Sequence, residues 1–286
     1  MHPGPPYHWR VRAAFFDLDK TVIAKASIAA FGPPFRRGGL ISRRVVARAI
    51  LGQLIYLQFG ANEARLGRIR ESMLALTKGW DRDRVRAIVR ETLLETVEPL
   101  IYNEALELME AHRRAGDRVY LVSASPEEIV NPLAELLGAD GAIASVGEID
   151  DNNRYTGKMS FYAYGPAKAD AMRALAARTG VDLADSYAYS DSATDAPMLE
   201  AVGHPIAVNP DRPLARLARE RGWQMRQFTN PVRLRDRVSA RTSVLTTGMA
   251  LAGAALLVWW ASRTRPAERS RAMSRPLQAV EPRPAT

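Results

Sequence analysis

The sequence predicts an α/β fold: a doubly wound parallel sheet covered on both faces, a helical insert directly after the first strand, and a C-terminal hydrophobic helix. Three observations predict it. Short apolar, β-prone runs alternate with helical segments along most of the chain, the pattern of strands buried on both faces and joined by crossover helices. The alternation breaks once, between Thr21 and the strand before Ser123, where helical runs follow one another. Residues 242–262 then carry no ionisable side chain over 21 positions, about the length that crosses a bilayer core.

Each element has its own signal. VRAAFF, residues 11–16, is the first strand and closes on Asp17. In the insert, residues 42–59, 62–77 and 81–96 read as helices, with Asn62 and Asp81 placed as N-caps. A helix over 102–115 stops at Gly116 and leads into the short strand VYLV, 119–122. A second helix, 126–137, stops at Gly138 and is followed by the strand AIASV. EIDDNNRYTGKM, residues 148–159, places turn residues between β-prone flanks and reads as a hairpin. Gly165-Pro166-Ala167-Lys168 opens a helix that ends at Thr179 and Gly180. SYAYS then reaches Asp191, and PIAVN begins after His204.

The domain plan that follows is an α/β core over 10–24 and 97–230, a helical cap over 25–96, a transmembrane helix over 242–262 and a disordered basic tail over 263–286. Trp259 and Trp260 suit the headgroup interface, whereas Gly248 and Gly253 are not at GxxxG spacing. The tail is rich in Pro, Arg and Ser, with almost nothing to bury. MHPGPPYHWR lacks the layout of a signal peptide, so the main body is expected in the cytoplasm, anchored by the C-terminal helix. Arginines flank that helix on both sides and leave its orientation open.

With 286 residues and 47% hydrophobic content, the chain can bury one ample core and a smaller module. Cysteine is absent, which excludes disulfides, a thiol nucleophile and thiolate zinc sites, and fits a reducing cytoplasm. His2, His8, His112 and His204 show no metal-ligand spacing and read as surface residues. The net charge of +9 is unevenly placed. Residues 231–286 hold 10 arginines against three acidic residues, and residues 36–90 hold 13 basic against four acidic. The remaining body, with 17 basic and 24 acidic residues, is acidic. A general nucleic-acid binder should carry its basic stripe on the folded body beside stacking aromatics, so no nucleic-acid partner is expected.

In an open α/β sheet the chemistry lies beyond the carboxyl ends of the strands, so the polar residues just after each apolar run matter most. They are Asp17, Asp19 and Thr21, then Ser123, then Asp191 and Asp195, with Lys168 joining from a helix start. Clustered carboxylates repel one another unless a hard cation neutralises them, which implies Mg²⁺ with its oxygen ligands. One carboxylate can attack phosphorus, a second carboxylic acid can protonate the departing oxygen, and a lysine with hydroxyl donors can hold phosphoryl oxygens. Each feature is weak alone, since an isolated DxD is usually a surface turn. Their joint placement at successive strand ends carries the signal.

These residues carry a resemblance. FFDLDKTV, with Asp17, Asp19 and Thr21, resembles the first motif (DxDxT) of the haloacid dehalogenase-like hydrolases; LVSAS resembles the second at Ser123, Lys168 matches the third, and YSDSATDAPML resembles the fourth at Asp191 and Asp195. The match covers about residues 10–230, and the insert is similar to the cap of subfamily IB, the phosphoserine phosphatase-like branch. The resemblance implies a Rossmann-like core, Asp17 as nucleophile and Mg²⁺ ligand, and Asp19 as general acid and base with its backbone carbonyl on the metal. It further implies that Thr21, Ser123 and Lys168 contact phosphoryl oxygens, that Asp191 completes the metal shell, and that Asp195 is a supporting carboxylate orienting the others. Lys20 occupies the variable position of the first motif and is not expected to alter the chemistry.

The expected function is a Mg²⁺-dependent phosphomonoester hydrolase forming an aspartyl-phosphate. One departure bears on its substrate: phosphoserine phosphatases carry an acidic residue nine positions after the nucleophile, and here that position is Ala26, beside the cationic Lys25. A methyl group cannot pair with a substrate ammonium. The basic cap and the expected anchor favour a membrane-derived phosphomonoester. The alternatives are a membrane-tethered interaction or regulatory protein on the same fold, and a phosphotransferase using the same residues. The oligomeric state is open.

Overall fold

The computed structural model describes residues 11–41 and 74–230. Residues 1–234 form one compact unit and 235–286 a second, which lies wholly outside the described residues together with the expected membrane helix and basic tail. Among the described residues no helix is long and apolar enough to cross a membrane.

The sheet has seven strands: β1 (Ala13–Asp17), β2 (Arg118–Pro126), β3 (Gly141–Ile149), β4 (Tyr155–Phe161), β5 (Tyr187–Ser190), β6 (His204–Val208) and β7 (Gln224–Arg226). Their order is β4-β3-β2-β1-β5-β6-β7, with every pairing parallel except β3–β4. The chain therefore winds outward from β1 to β3 on one side and from β5 to β7 on the other. β1 and β5 are neighbours at the point where the winding reverses, which is where such sheets open a crevice at their carboxyl ends.

All five residues of β1 are buried, because helices cover both faces of the sheet. Alternation divides them: Ala14 and Phe16 enter one apolar cluster, and Ala13 and Phe15 enter the other. The first cluster is closed by α1 (Ser27–Arg37), α2 (Arg82–Val97), α3 (Asn103–Arg114) and α4 (Glu127–Leu136), through residues such as Phe31, Val89, Met109 and Leu133. The second is closed by α5 (Pro166–Thr179), α6 (Ala196–Glu200) and α7 (Arg212–Arg221), through Met172, Leu199 and Leu214. Burying each phenylalanine of β1 contributes about 1.5–3 kcal/mol, which fixes this strand as the sheet's axis.

The helical segments described between β1 and β2 share one apolar cluster with the helices on the sheet face. Asp81 caps α2 by accepting the Arg84 N–H at 2.9 Å, as the sequence predicts. The predicted helix 42–59 and most of 62–77 lie outside the described residues; residues 74–77 are helical. The β3–β4 hairpin forms where predicted and pairs with the approach to α2, with Tyr155 N–H on Trp80 O at 3.0 Å and Arg82 N–H on Asn153 O at 3.0 Å.

Two expectations are corrected by the structure. β2 runs to Pro126, so Ser123 lies inside a strand that continues past the apolar run. The reading of the histidines as surface residues fails for His112, which is 8% exposed. It continues the buried stripe Ala105–Met109–His112 of α3, and its ring nitrogens are satisfied by Asp117 Oδ2 at 2.9 Å and Tyr189 OH at 2.8 Å. α1 carries Pro33 and Pro34 within the helix.

Candidate active site

Asp17 is the last residue of β1 and is 6% exposed. Lys168, in the first turn of α5, reaches it across the switch point. Its Nζ donates to Asp17 Oδ1 at 2.6 Å and to Asp195 Oδ2 at 2.8 Å. Gly165 allows this approach, because its φ of 56° and ψ of −129° suit a residue without Cβ. Asp195 Oδ2 also accepts the Ser190 hydroxyl at 2.7 Å, which ties the carboxylate to the end of β5.

Burial pushes the Asp17 carboxyl up to about 8, with the nearby Asp195 and Asp19 adding to the rise and the Lys168 ammonium opposing it. Burial alone would lower Lys168, but Asp17 and Asp195 outweigh it and hold the ammonium above its usual range. Asp191, just past β5, is pushed up to about 6 by burial; Lys20 opposes the shift and Asp195 adds to it. Asp19 is raised chiefly by burial, against hydrogen bonds from Ser27 and Ser125. Burial thus holds the Asp17, Asp19 and Asp191 carboxyls above their ordinary range.

Asp19 projects toward the start of the insert: its Oδ1 accepts the Ser27 N–H at 2.8 Å and its Oδ2 the Ser125 hydroxyl at 3.2 Å. Ser123 is 1% exposed, and its Oγ accepts the Ser125 N–H at 3.1 Å. Thr21 Oγ1 is buried with no hydrogen-bond partner among the described residues. An orphaned hydroxyl at this place is a ready donor to a phosphoryl oxygen, and leaving it unmet costs about 1–3 kcal/mol.

The sequence expects three or four clustered carboxylates to need a hard cation. Among the described residues no three His, Cys, Asp or Glu side chains form a metal-holding group. The carboxylates have partners within the protein: Asp195 has Lys168 and Ser190, Asp17 has Lys168, and Asp19 has Ser27 and Ser125. The donors that the resemblance implies would be the Asp17 and Asp191 carboxylates and the Asp19 main-chain carbonyl, with Asp17 Oδ1 also accepting from Lys168. This all-oxygen set fits a hard cation that keeps waters and takes phosphate oxygens.

Several contributing residues were not singled out by the sequence, although Ser125 and Ser190 lie within the second and fourth motifs. Ser27, Ser125 and Ser190 hold carboxylates through single hydroxyl or amide contacts. Asp211 caps α7 through Leu214 N–H at 2.7 Å, accepts the Ala193 N–H at 3.2 Å, and donates its own N–H to Asp191 O at 2.8 Å, so it sets the loop 191–195. Lys20, read as a variable position, has a φ of 63°, a left-handed conformation costing about 1–2 kcal/mol for a residue with Cβ. Strain of this kind gathers where a turn must place functional groups, and here the turn presents Asp19 and Thr21. The cleft of about 640 Å³ lined by Tyr187, His204 and Trp223 opens at the amino ends of β5 and β6, away from Asp17.

The haloacid dehalogenase-like hydrolase family matches this chain over residues 14–200. The chain belongs to that family. A Streptomyces azureus relative named "inhibition of morphological differentiation protein" is 49% identical over 261 residues, 88% of this chain and 94% of its own length. A Mycobacterium tuberculosis relative named "probable phosphatase" is 48% identical over 245 residues, 86% of this chain and 85% of its own. Another from that organism, 36% identical over 220 residues, 76% of this chain and 70% of its own, is named a phosphoserine phosphatase. A Bordetella pertussis protein of unknown function has a crystal structure 31% identical to this chain, with a TM-score of 0.65 over 76% of this chain and 98% of that one. The haloacid dehalogenase-like fold and its phosphoserine phosphatase-like relationship thus agree with the order of the four motifs.

Proposed function

We propose that this hydrolase is a Mg²⁺-dependent phosphomonoesterase working through an aspartyl-phosphate on Asp17. The observation that carries it is the Lys168 ammonium bridging Asp17 and Asp195 where the sheet reverses, with Asp19 raised beside them. Asp17 attacks phosphorus while Asp19, in its acid form, gives a proton to the departing alcohol oxygen. Asp19, now a carboxylate, takes a proton from water as that water attacks the phosphoryl group, which releases phosphate and restores Asp17. Lys168, Thr21 and Ser123 hold phosphoryl oxygens through transfer, and Asp195 orients Lys168. Mg²⁺ held by Asp17, Asp191 and the Asp19 carbonyl would neutralise charge on the nucleophile and the phosphoryl group.

For substrate we favour a membrane-derived phosphomonoester, such as a lysophospholipid phosphate or a polyprenyl phosphate. Ala26 stands nine positions after Asp17, where phosphoserine phosphatases carry an acid, with the exposed Lys25 beside it, and the insert is strongly basic in sequence. The test is Mg²⁺-dependent phosphate release from a chromogenic ester and then a substrate panel. Activity in wild type and its loss in Asp17→Asn supports the enzyme. Inactivity of both on every ester would favour a tethered interaction protein, and preference for soluble sugar or amino-acid phosphates would end the lipid reading.

A further inference from the structure

β2 and β3 do not keep an even register. Val122 faces Ile143 and Pro126 faces Ser145, so β2 advances four residues where β3 advances two, and Ser123–Ser125 bulge from the ladder. Ser145, 1% exposed, meets the bulge: its hydroxyl donates to Ala124 O at 2.7 Å, between Ser123 and Ser125. The same Oγ accepts the Ala163 N–H at 3.1 Å. Ala163 is fully buried and lies in the connection from β4 to α5, just ahead of Gly165, whose carbonyl accepts the Lys168 N–H at 3.1 Å.

We propose that Ser145 is a positioning residue that holds the two phosphate-binding arms, Ser123 and Lys168, at a fixed separation. A hydroxyl carries one proton and two acceptor directions, so a single Oγ can satisfy a carbonyl on one side and an amide on the other. Here the carbonyl stands beside Ser123, and the amide belongs to the segment that delivers Lys168. β3 carries none of the four motifs, and both hydrogen bonds of Ser145 go to main chain rather than to a motif side chain. Without the hydroxyl, a buried carbonyl and a buried N–H lose their partner together, which loosens the bulge and the approach to α5 at once. Asp17 and Asp191 belong to β1 and the end of β5, on the far side of β2 from Ser145, so the acidic part of the site keeps its own supports. The inference rests on the reading of Ser123 and Lys168 as groups that hold phosphoryl oxygens.

The test is steady-state hydrolysis of p-nitrophenyl phosphate by Ser145→Ala, at a temperature where near-ultraviolet circular dichroism shows the variant folded. Misplacing a binding group by about 1 Å costs up to about 10²-fold, so loosening both arms should lower kcat/KM about tenfold. The inhibition constant of inorganic phosphate should rise about fivefold, an ordinary loss for a weakened hydrogen bond to an anion. The Mg²⁺ concentration for half-maximal activity should not move. Ser145→Thr keeps the hydroxyl and should recover most of the loss. Because the effect runs partly through Ser123, Ser145→Ala should cost about threefold at most in a Ser123→Ala background, whereas independent losses would multiply. A Ser145→Ala that only melts earlier, with wild-type kcat/KM and phosphate inhibition, overturns the proposal. So does a loss that multiplies in full with Ser123→Ala, or a folded Ser145→Thr no better than Ser145→Ala. If wild type is inactive on every ester, the phosphatase reading and this proposal fall together; if wild type is active and Asp17→Asn is not, failure of the Ser145 predictions removes the positioning role alone.

Discussion

Replacing Lys168 with methionine keeps most of the buried stem and deletes the ammonium that two carboxylates share. The lysine is 3% exposed on its side chain, and both partners are equally withdrawn, at 8% for Asp17 and 4% for Asp195. Breaking a buried pair of this kind costs about 3–5 kcal/mol, because the remaining charge is left uncompensated. The lower end applies here: Asp17 is already pushed up to about 8, so proton uptake relieves part of the loss. The sign with pH follows. A carboxyl whose folded value lies above its ordinary 3.8 binds its proton more tightly in the folded protein, so its stability contribution falls as pH rises toward about 8. Lys168 limits that fall, and the variant should lose more stability at pH 8 than at pH 5.5. At about 2–4 °C per kcal/mol for a domain of this size, about 3 kcal/mol corresponds to a Tm lower by roughly 6–12 °C at pH 8. Calorimetry in metal-free buffer reads it directly. An unchanged Tm at pH 8, or a larger loss at pH 5.5, would refute the reasoning.

Three further outcomes are expected. Mg²⁺ at about 100 times its Kd should stabilise the wild type by about 2.7 kcal/mol, a gain that thermal shift should find absent in Asp191→Asn and that chelation should abolish. Asp211→Ala removes the cap of α7 and should cost about 1 kcal/mol in urea denaturation, and it should raise the Mg²⁺ concentration needed for half-maximal activity, since loop 191–195 loses its anchor. Although burial raises the Glu104 carboxylate, the N–H groups of Thr229 and Asn230 outweigh it and hold the group below its usual range. Its contribution is therefore present above the ordinary glutamate value and lost as pH falls through the lower folded value, so the Tm difference between wild type and Glu104→Gln should shrink toward pH 3.

The parts of the molecule legible from sequence are those where local pattern and tertiary role coincide. Apolar runs ending in Asp17 and Asp191 had to be buried strands, and a carboxylate at the end of such a run has one crevice to enter. The Asp81 cap and the 148–159 hairpin are likewise local in origin. β7 was not legible: Gln224–Arg226 is three exposed residues recruited only by pairing with β6. α1 was hidden by Pro33 and Pro34, and His112 by a polar side chain whose partners, Asp117 and Tyr189, are supplied by the fold. Within the site, the motifs locate Asp17, Asp19, Thr21, Ser123, Lys168, Asp191 and Asp195, but not that Lys168 binds two carboxylates or that Asp19 is held by serines 98 positions apart. The serine contacts depend on the start of α1 meeting the end of β2, and those of Lys168 on α5 meeting β1 and the 191–195 loop, which no single segment encodes.

The most direct measurement concerns covalent bonding of phosphorus to Asp17. A radiolabelled phosphomonoester that the enzyme turns over, mixed with Mg²⁺-loaded protein and quenched in acid within the first turnover, should leave label on a peptide containing Asp17 that hydroxylamine removes. Asp17→Asn should carry none and release no phosphate. Phosphate release at wild-type rate from Asp17→Asn, or wild-type turnover that never places label on that peptide, would contradict the account.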